Sequence, residues 1–141
     1  GYLGINVPEE YGGGGGGIGD VAAGLDTIPV IVLVVIAATA IIFLTEITSN
    51  TATAAAFLPV AGGVAVGVGM DPLMLAAPVA LAATCAFMLP VATPPNAIAY
   101  GSGYVRIGDM VKGGLWLNLI GIVLVTLVSM TLLAWVFGVS A

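Results

Sequence analysis

The sequence PVATPPN, residues 90–96, places three prolines within six residues of an uncharged run, Pro72–Val105. As one straight helix, the 34 residues of that run would measure about 51 Å, whereas the hydrocarbon core of a bilayer is about 30 Å thick. A continuous helix does not tolerate such a proline cluster. Non-helical backbone at membrane depth survives where it is buried in protein or lines a wet cavity. We therefore predict that residues 90–96 are the broken part of a discontinuous helix.

A second polar interruption, TEITSNTAT (Thr45–Thr53), lies between the apolar stretches 27–44 and 54–70. It is either a turn at the membrane surface between two full spans or the tip of a re-entrant hairpin, and both flanks are long enough for either structure. An ionisable group inside a membrane is usually functional, whereas one at a surface turn faces water. Glu46 is accordingly a cation ligand, a proton carrier or an interfacial residue, and the sequence does not choose among them.

The composition is that of a membrane protein. Of the 141 residues, 60% are hydrophobic and 6% are charged, with a mean hydropathy of +1.22, whereas a soluble domain carries about 25% charged residues. A membrane-spanning helix needs about 20 apolar residues. Four uncharged runs are of this order or longer: 27–45, 47–70, 72–105 and 113–141. We predict an all-α, multi-pass integral protein of the cell (inner) membrane.

The composition also excludes several classes of function. The only basic residues are Arg106 and Lys112, so no positively charged surface for nucleic acid is expected. Histidine is absent and Cys85 is the single cysteine, which excludes a disulfide within the chain and a His/Cys metal site. An intramembrane hydrolase using Ser49 is disfavoured because no histidine is present to act as its base. We do not expect an enzyme.

Two regions of unequal length are predicted. Residues 1–26, with six consecutive glycines, are expected to form a flexible lead-in. Residues 27–141 are expected to form a membrane unit with a hairpin over 27–70, a broken helix over 72–105 and a last span over 113–137. The helices within that unit are predicted at Pro29–Thr48, Ala52–Val68, Leu73–Leu89, Ala97–Tyr104 and Leu115–Phe137.

The two polar interruptions have the chemistry of a transporter site. Each follows one helix and begins another, and each supplies Ser, Thr or Asn, the favoured N-cap residues. A helix N-terminus attracts anions, while C-terminal carbonyls and side-chain amide or hydroxyl oxygens suit Na⁺. Because no basic residue lies at either break, we expect co-bound cations to balance a bound anion. A structural kink without a ligand stays the alternative for residues 90–96.

Two longer stretches carry a resemblance to a known family. FLTEITSNTATAAAFLPV (Phe43–Val60) and CAFMLPVATPPNAIAYGSG (Cys85–Gly103) resemble the second-repeat motifs of the divalent-anion/sodium symporter family. Members of that family carry dicarboxylates, citrate or sulfate together with Na⁺. The resemblance covers about residues 24–137.

The resemblance implies a site and a mechanism. Ser-Asn-Thr would be the tip of a re-entrant hairpin and Thr-Pro-Pro-Asn the unwound middle of the next helix, in a domain that moves across the membrane against a dimeric scaffold. The implied Na⁺ ligands are the side chains of Thr45 and Asn50 and the carbonyls of Thr48, Ala92 and Pro94. The implied substrate contacts come from Ser49, Asn50, Thr51, Thr93 and Pro94.

The sequence departs from the family pattern in one respect. Members have two inverted repeats, whereas this chain has one Ser-Asn-Thr and one Pro-Pro-Asn. We expect the C-terminal part of a Na⁺-coupled symporter of divalent anions, favouring C4-dicarboxylates, which needs a missing N-terminal repeat or a homodimer partner. The alternative is a non-transporting membrane segment that packs against a partner. Arg106 and Lys112 are expected on the cytoplasmic side.

Overall fold

The computed structural model describes residues 28–138, and over this range the chain is helical and contains no strand. The predicted lead-in, residues 1–26, lies outside the described residues. The α-helices in chain order are α1 (Val30–Thr45), α2 (Asn50–Gly67), α3 (Leu73–Ala82), α4 (Pro94–Gly101), α5 (Ile107–Val128) and α6 (Ala134–Phe137). A π-helical turn, Ser129–Leu133, joins the last two.

Proline and glycine residues mark several of the helix ends. Pro29, whose ring fixes φ near the helical value, stands at the N-cap of α1. After α2, Gly69 has a φ of +77°, a conformation that favours glycine and ends helices. The Asp71 carboxylate then accepts a hydrogen bond from the Leu73 backbone N–H at 2.8 Å. The turn between α2 and α3 therefore follows from local sequence.

Helix α3 is the centre of the packing. Both α1 and α2 pack against it more extensively than against each other, and α5 packs on α1 and α3. Fully buried apolar side chains on these helices form the core, which close van der Waals packing stabilises within a membrane. They include Val34, Ala38, Ile42, Ala65 and Ala82.

Two described helices, Asn50–Gly67 and Ile107–Thr131, are long and apolar enough to cross a membrane. The other apolar helices, α1 with 16 residues and α3 with 10, are shorter. Large apolar side chains are exposed along the outer faces, as on a lipid-facing surface; Ile36, Val66 and Trp116 are 56%, 62% and 68% exposed. The prediction of an all-α membrane architecture is confirmed for the described residues, whereas the re-entrant geometry of the hairpin stays a prediction.

Several predicted helix boundaries are wrong. Helix α4 lies at Pro94–Gly101 rather than Ala97–Tyr104, and α1 ends at Thr45 rather than Thr48. The two largest errors concern α3 and α5. Helix α3 ends at Ala82, not at Leu89, so the break extends over Ala83–Thr93. The last long helix begins at Ile107 rather than Leu115. Its first turn contains Asp109, and an acidic side chain there is stabilised by the positive end of the helix dipole. The charged link between α4 and α5 is consequently short.

Candidate functional site

The two polar interruptions line one cavity of about 380 Å³, within the range of about 300–1,000 Å³ typical of ligand pockets. Seven of the eight residues that the sequence indicates for Na⁺ or substrate lie on its wall. The eighth, Thr45, is buried directly behind Asn50. The cavity is lined by Ile47, Thr48, Ser49, Asn50, Thr51, Val91, Ala92, Thr93 and Pro94.

Thr45, at the end of α1, joins three parts of the chain. Its side chain is 0% exposed, and its Oγ1 donates toward Asn50 Oδ1 at 2.6 Å and the Ala83 carbonyl at 3.1 Å. Asn50 begins α2, and Ala83 follows α3. Three oxygen atoms therefore converge at one buried point, and oxygens of this kind are suitable ligands for Na⁺. Sequence reasoning missed the Ala83 carbonyl, which it assigned to a helix.

The N-terminus of α2 is left open toward the cavity. Ser49 is its N-cap residue in an extended conformation, and the Ser49 side chain makes no capping hydrogen bond. The neighbouring hydroxyls are used inside the turn, because Thr48 Oγ1 donates to the Leu44 carbonyl at 2.9 Å and lies 2.6 Å from Thr53 Oγ1. Free N–H groups at a helix N-terminus are favourable for an anion.

The N-terminus of α4 has a different character. Thr93 is its N-cap, and the Thr93 Oγ1 accepts a hydrogen bond from the Asn96 backbone N–H at 3.4 Å. Pro94 and Pro95 have no backbone N–H. Residues 94 and 95 therefore contribute no N–H group to the expected attraction of an anion, and an anion at this end would meet the Thr93 hydroxyl proton and the helix dipole.

Asn96 ties α4 back to the broken segment. Its Nδ2 donates to the carbonyls of Ala86 and Leu89, both at 3.1 Å. These carbonyls have no helical partner because α3 ends before them. One amide therefore satisfies two backbone acceptors, which matters because an unsatisfied backbone group in a membrane costs several kcal/mol.

Glu46 satisfies the donors of the same segment. The carboxylate is 3% exposed, so it does not face water at a turn. Oε1 accepts from the N–H groups of Phe87 at 2.8 Å and Met88 at 3.0 Å, and Oε2 accepts from Met88 at 3.0 Å and Leu89 at 3.1 Å. The amide Nδ2 of Asn118 donates to Oε1 at 2.7 Å. This carboxylate therefore accepts from three successive backbone donors of the segment that follows the end of α3.

Helix α5 packs directly against the backbone of residues 87 and 88. A Cβ atom added to Gly114 would lie 2.5 Å from both the Met88 Cα and the Phe87 carbonyl oxygen, so the two backbones touch. Asn118 lies one turn later on the same face and is fully buried. Sequence reasoning missed both residues. A signal was present for Asn118, since it is the one amide or hydroxyl side chain between Lys112 and Thr126.

Comparison with known proteins identifies related sequences. A family model described as the sodium:sulfate symporter transmembrane region matches residues 19–139. The sodium-dependent dicarboxylate transporter SdcS of Staphylococcus saprophyticus is 47% identical over 110 residues, which are 78% of this chain and 21% of the relative. The protein of the same name in two strains of Staphylococcus aureus is 50% identical over 96 residues, 68% of this chain and 18% of the relative. The chain thus spans about a fifth of the length of these curated relatives.

Proposed function

Because this chain belongs to the sodium:sulfate symporter family, we propose that it is the C-terminal part of a Na⁺-coupled symporter of divalent anions, with C4-dicarboxylates as substrates. The substrate class follows the name of the relatives, which are sodium-dependent dicarboxylate transporters. The observation that carries the proposal is the single cavity shared by both polar breaks, with the Thr45–Asn50 oxygen pair behind it. The chain is an integral membrane protein, as its family is.

The proposed Na⁺ site lies between the two breaks. Its side-chain ligands are Thr45 and Asn50, and its carbonyl ligands are Thr48, Ala92 and Pro94. The support is that the side-chain oxygens are 2.6 Å apart, and that the three carbonyl residues line the adjoining cavity. Without the ion, the Thr45 hydroxyl donates its proton to Asn50 Oδ1. A bound Na⁺ would instead be coordinated by lone pairs of both oxygens.

The proposed substrate contacts are Ser49, Asn50, Thr51, Thr93 and Pro94. The uncapped N-terminus of α2 supplies backbone donors for one carboxylate, and the Thr93 hydroxyl supplies a donor on the opposite break. The only basic residues, Arg106 and Lys112, are exposed and do not line the cavity. Bound Na⁺ would then supply the positive charge beside the anion, so each ligand lowers the electrostatic cost of the other.

The remaining family features are proposed with the site. By 1.5 Å per residue, α1 with its 16 residues measures about 24 Å, shorter than the roughly 30 Å hydrocarbon core, which supports a re-entrant hairpin. Arg106 and Lys112 face the cytoplasm by the positive-inside rule. A first repeat or a second copy of the chain completes the pocket, and the domain moves by an elevator-like cycle against a dimeric scaffold.

The test is succinate binding to the purified chain in detergent, with Na⁺ and with K⁺ in its place. Circular dichroism first establishes that the sample is helical. Binding in Na⁺ alone would support the proposal and mean that this segment, by itself or as a self-associated pair, forms a working site. No binding in either salt, from a helical sample, would contradict a site formed by this chain alone and would mean that the missing N-terminal repeat has to be supplied.

Replacing Thr93 by valine removes the hydroxyl while keeping a β-branched side chain in its extended conformation. We expect the succinate concentration at half-saturation to rise about tenfold, the equivalent of one hydrogen bond to a charged group. Thr93→Ser restores the hydroxyl and should restore the affinity. The measurement is succinate uptake into proteoliposomes that contain the complete transporter. Equal affinity of Thr93→Val and the unaltered protein would remove Thr93 from the substrate site.

A further inference from the structure

We propose that Glu46 is a positioning residue of the Na⁺ site. Its carboxylate binds the backbone N–H groups of Phe87, Met88 and Leu89. These bonds fix the position of the break Ala83–Thr93 relative to the Thr45–Asn50 pair. This inference rests on the proposed Na⁺ site, to which it adds a residue that does not touch the ion. Glu46 and Asn118 together with Gly114 are called the clamp below.

The hydrogen bonds require a carboxylate at position 46. Both oxygens of Glu46 accept, and every partner is an N–H donor: three backbone groups and the Asn118 amide. An ionised carboxylate has two acceptor oxygens, whereas a glutamine offers one acceptor and an NH₂ group that is itself a donor. In Glu46→Gln the side-chain NH₂ group would therefore face another N–H donor, that of Leu89 or that of Phe87, depending on how the amide is turned.

The buried charge is explained by these donors and not by an ion pair. Burying a carboxylate is costly unless hydrogen bonds satisfy it. Arg106 and Lys112, the only basic residues of the chain, are exposed, while Glu46 is 3% exposed. Hydrogen bonds from backbone N–H groups to an ionised acceptor are stronger than those between neutral groups. The negative charge therefore strengthens the hydrogen bonds that hold residues 87–89 in place.

The clamp is directly connected to the proposed ligands. Glu46 follows Thr45 in the chain, so adjacent residues hold the break at two points: Thr45 at the Ala83 carbonyl and Glu46 at residues 87–89. Leu89 also accepts from the Asn96 amide, and Ala92 donates its N–H to the Leu89 carbonyl at 3.2 Å. A shift of Leu89 is consequently passed on to the carbonyls of residues 92 and 94.

Helix α5 closes the clamp from the other side. Gly114 lets the helix touch the backbone of Phe87 and Met88, and Asn118, one turn later, donates to Glu46 Oε1. These residues lie at i and i+4 and share one face of the helix. The broken backbone is therefore held between α1 and α5, with its donors turned toward Glu46.

The experiment compares Glu46→Gln with the unaltered protein, both as the complete transporter in detergent. Hydrogen–deuterium exchange of peptides covering residues 84–93 measures how well the clamp protects the backbone amides of the break. Na⁺ titration of succinate binding measures the affinity of the Na⁺ site. We expect slow exchange of the 87–89 amides in the unaltered chain. In Glu46→Gln we expect at least about tenfold faster exchange and an about tenfold higher Na⁺ concentration at half-saturation, with unchanged helical content.

Two further variants separate positioning from other roles. Glu46→Gln combined with Asn118→Asp keeps one buried negative charge but moves it away from the backbone donors, so it should not restore the Na⁺ affinity. Asn50→Ala should abolish Na⁺ dependence while leaving exchange at 87–89 slow. If Glu46→Gln fails to insert, Asn118→Ala, which removes one of the four donors, should give a smaller change in the same direction.

Four results would overturn the inference. These are fast exchange at 87–89 in the unaltered chain, unchanged Na⁺ affinity in Glu46→Gln, unchanged affinity and exchange in Asn118→Ala, and full restoration by the charge-swapped double variant. Failure of the proposed function is recognised separately. It would show as the absence of Na⁺-dependent succinate binding in the unaltered complete transporter, whatever the exchange rates at the clamp.

Discussion

Na⁺-dependent succinate uptake is expected to fall by about 100-fold or more when Asn50 is replaced by alanine. Asn50 is proposed to contact both the ion and the anion, and a hydrogen bond to a charged group contributes about 1.5–3 kcal/mol. Loss of two such contacts corresponds to at least about two powers of ten, each being about 1.4 kcal/mol. The measurement is uptake of labelled succinate into proteoliposomes that contain the complete transporter, with Na⁺ and with K⁺.

Two variants make this prediction specific. Asn50→Asp keeps an oxygen for Na⁺ but adds a negative charge beside the substrate, so Na⁺ binding should survive while succinate uptake is lost. Thr39→Ala removes a hydroxyl that bonds the Val35 carbonyl of its own helix, and it should leave uptake unchanged. Normal uptake by Asn50→Ala, at equal amounts of inserted protein, would refute the assignment of Asn50 to the site.

The second large effect is expected from a single methyl group at Gly114. In Gly114→Ala the new Cβ would approach backbone atoms of Phe87 and Met88 to 2.5 Å, and backbone cannot swing aside as the end of a flexible side chain can. Overpacking of this kind costs about 1–3 kcal/mol. We expect a lower unfolding temperature and a loss of Na⁺-dependent binding of about tenfold or more, measured by thermal unfolding and by Na⁺ titration of succinate binding.

The same helix provides matched controls for this substitution. A Cβ at Gly113 meets no atom within 4 Å, and one at Gly121 meets its nearest neighbour, Ile42 Cδ1, at an ordinary 3.7 Å. Gly113→Ala and Gly121→Ala should therefore keep both stability and binding, and the gain in helix propensity of up to about 1 kcal/mol favours them. An equal loss in all three variants would show that glycine is needed for helix flexibility and not for contact with the break.

Sequence patterns predicted the helical architecture and the polar breaks because local chemistry determines them. Pro94 and Pro95 cannot continue a preceding helix, and Thr93 is a good N-cap residue for the helix that follows. Ser49 likewise stands at the N-cap of α2. The roles of these residues toward Na⁺ and substrate come from the family resemblance and stay predictions.

The early end of α3 could not be predicted from local sequence. Residues 84–89 read TCAFML and contain neither glycine nor proline, so they fit a helix. The contacts that stabilise the non-helical backbone are tertiary: Glu46, 41 to 43 residues earlier in the chain, accepts from the N–H groups of residues 87–89. The sequence left the role of Glu46 open for the same reason, because its partners are backbone groups without a sequence signature.

The start of α5 was missed for a different reason. Residues 106–112 are charged and glycine-containing, which favoured a link between spans. Local signals for a helix were nevertheless present, since Asp109 lies in the first turn, where an acidic side chain is favourable. For the membrane-spanning part, hydropathy predicts an apolar helix but does not indicate which face contacts protein, so Gly114 and Asn118 were not singled out.

The hold of Glu46 and α5 on the broken backbone bears on how the protein is made. A ribosome delivers α1 first, the break next and α5 last, so the N–H groups of residues 87–89 enter the bilayer before the Asn118 amide and Gly114 exist there. Backbone donors in lipid must be satisfied at every stage. Glu46 precedes the break in the chain and accepts from the N–H groups of residues 87–89, so these donors have their partner before α5 is made. The Asn118 amide then adds a fourth donor to the same carboxylate.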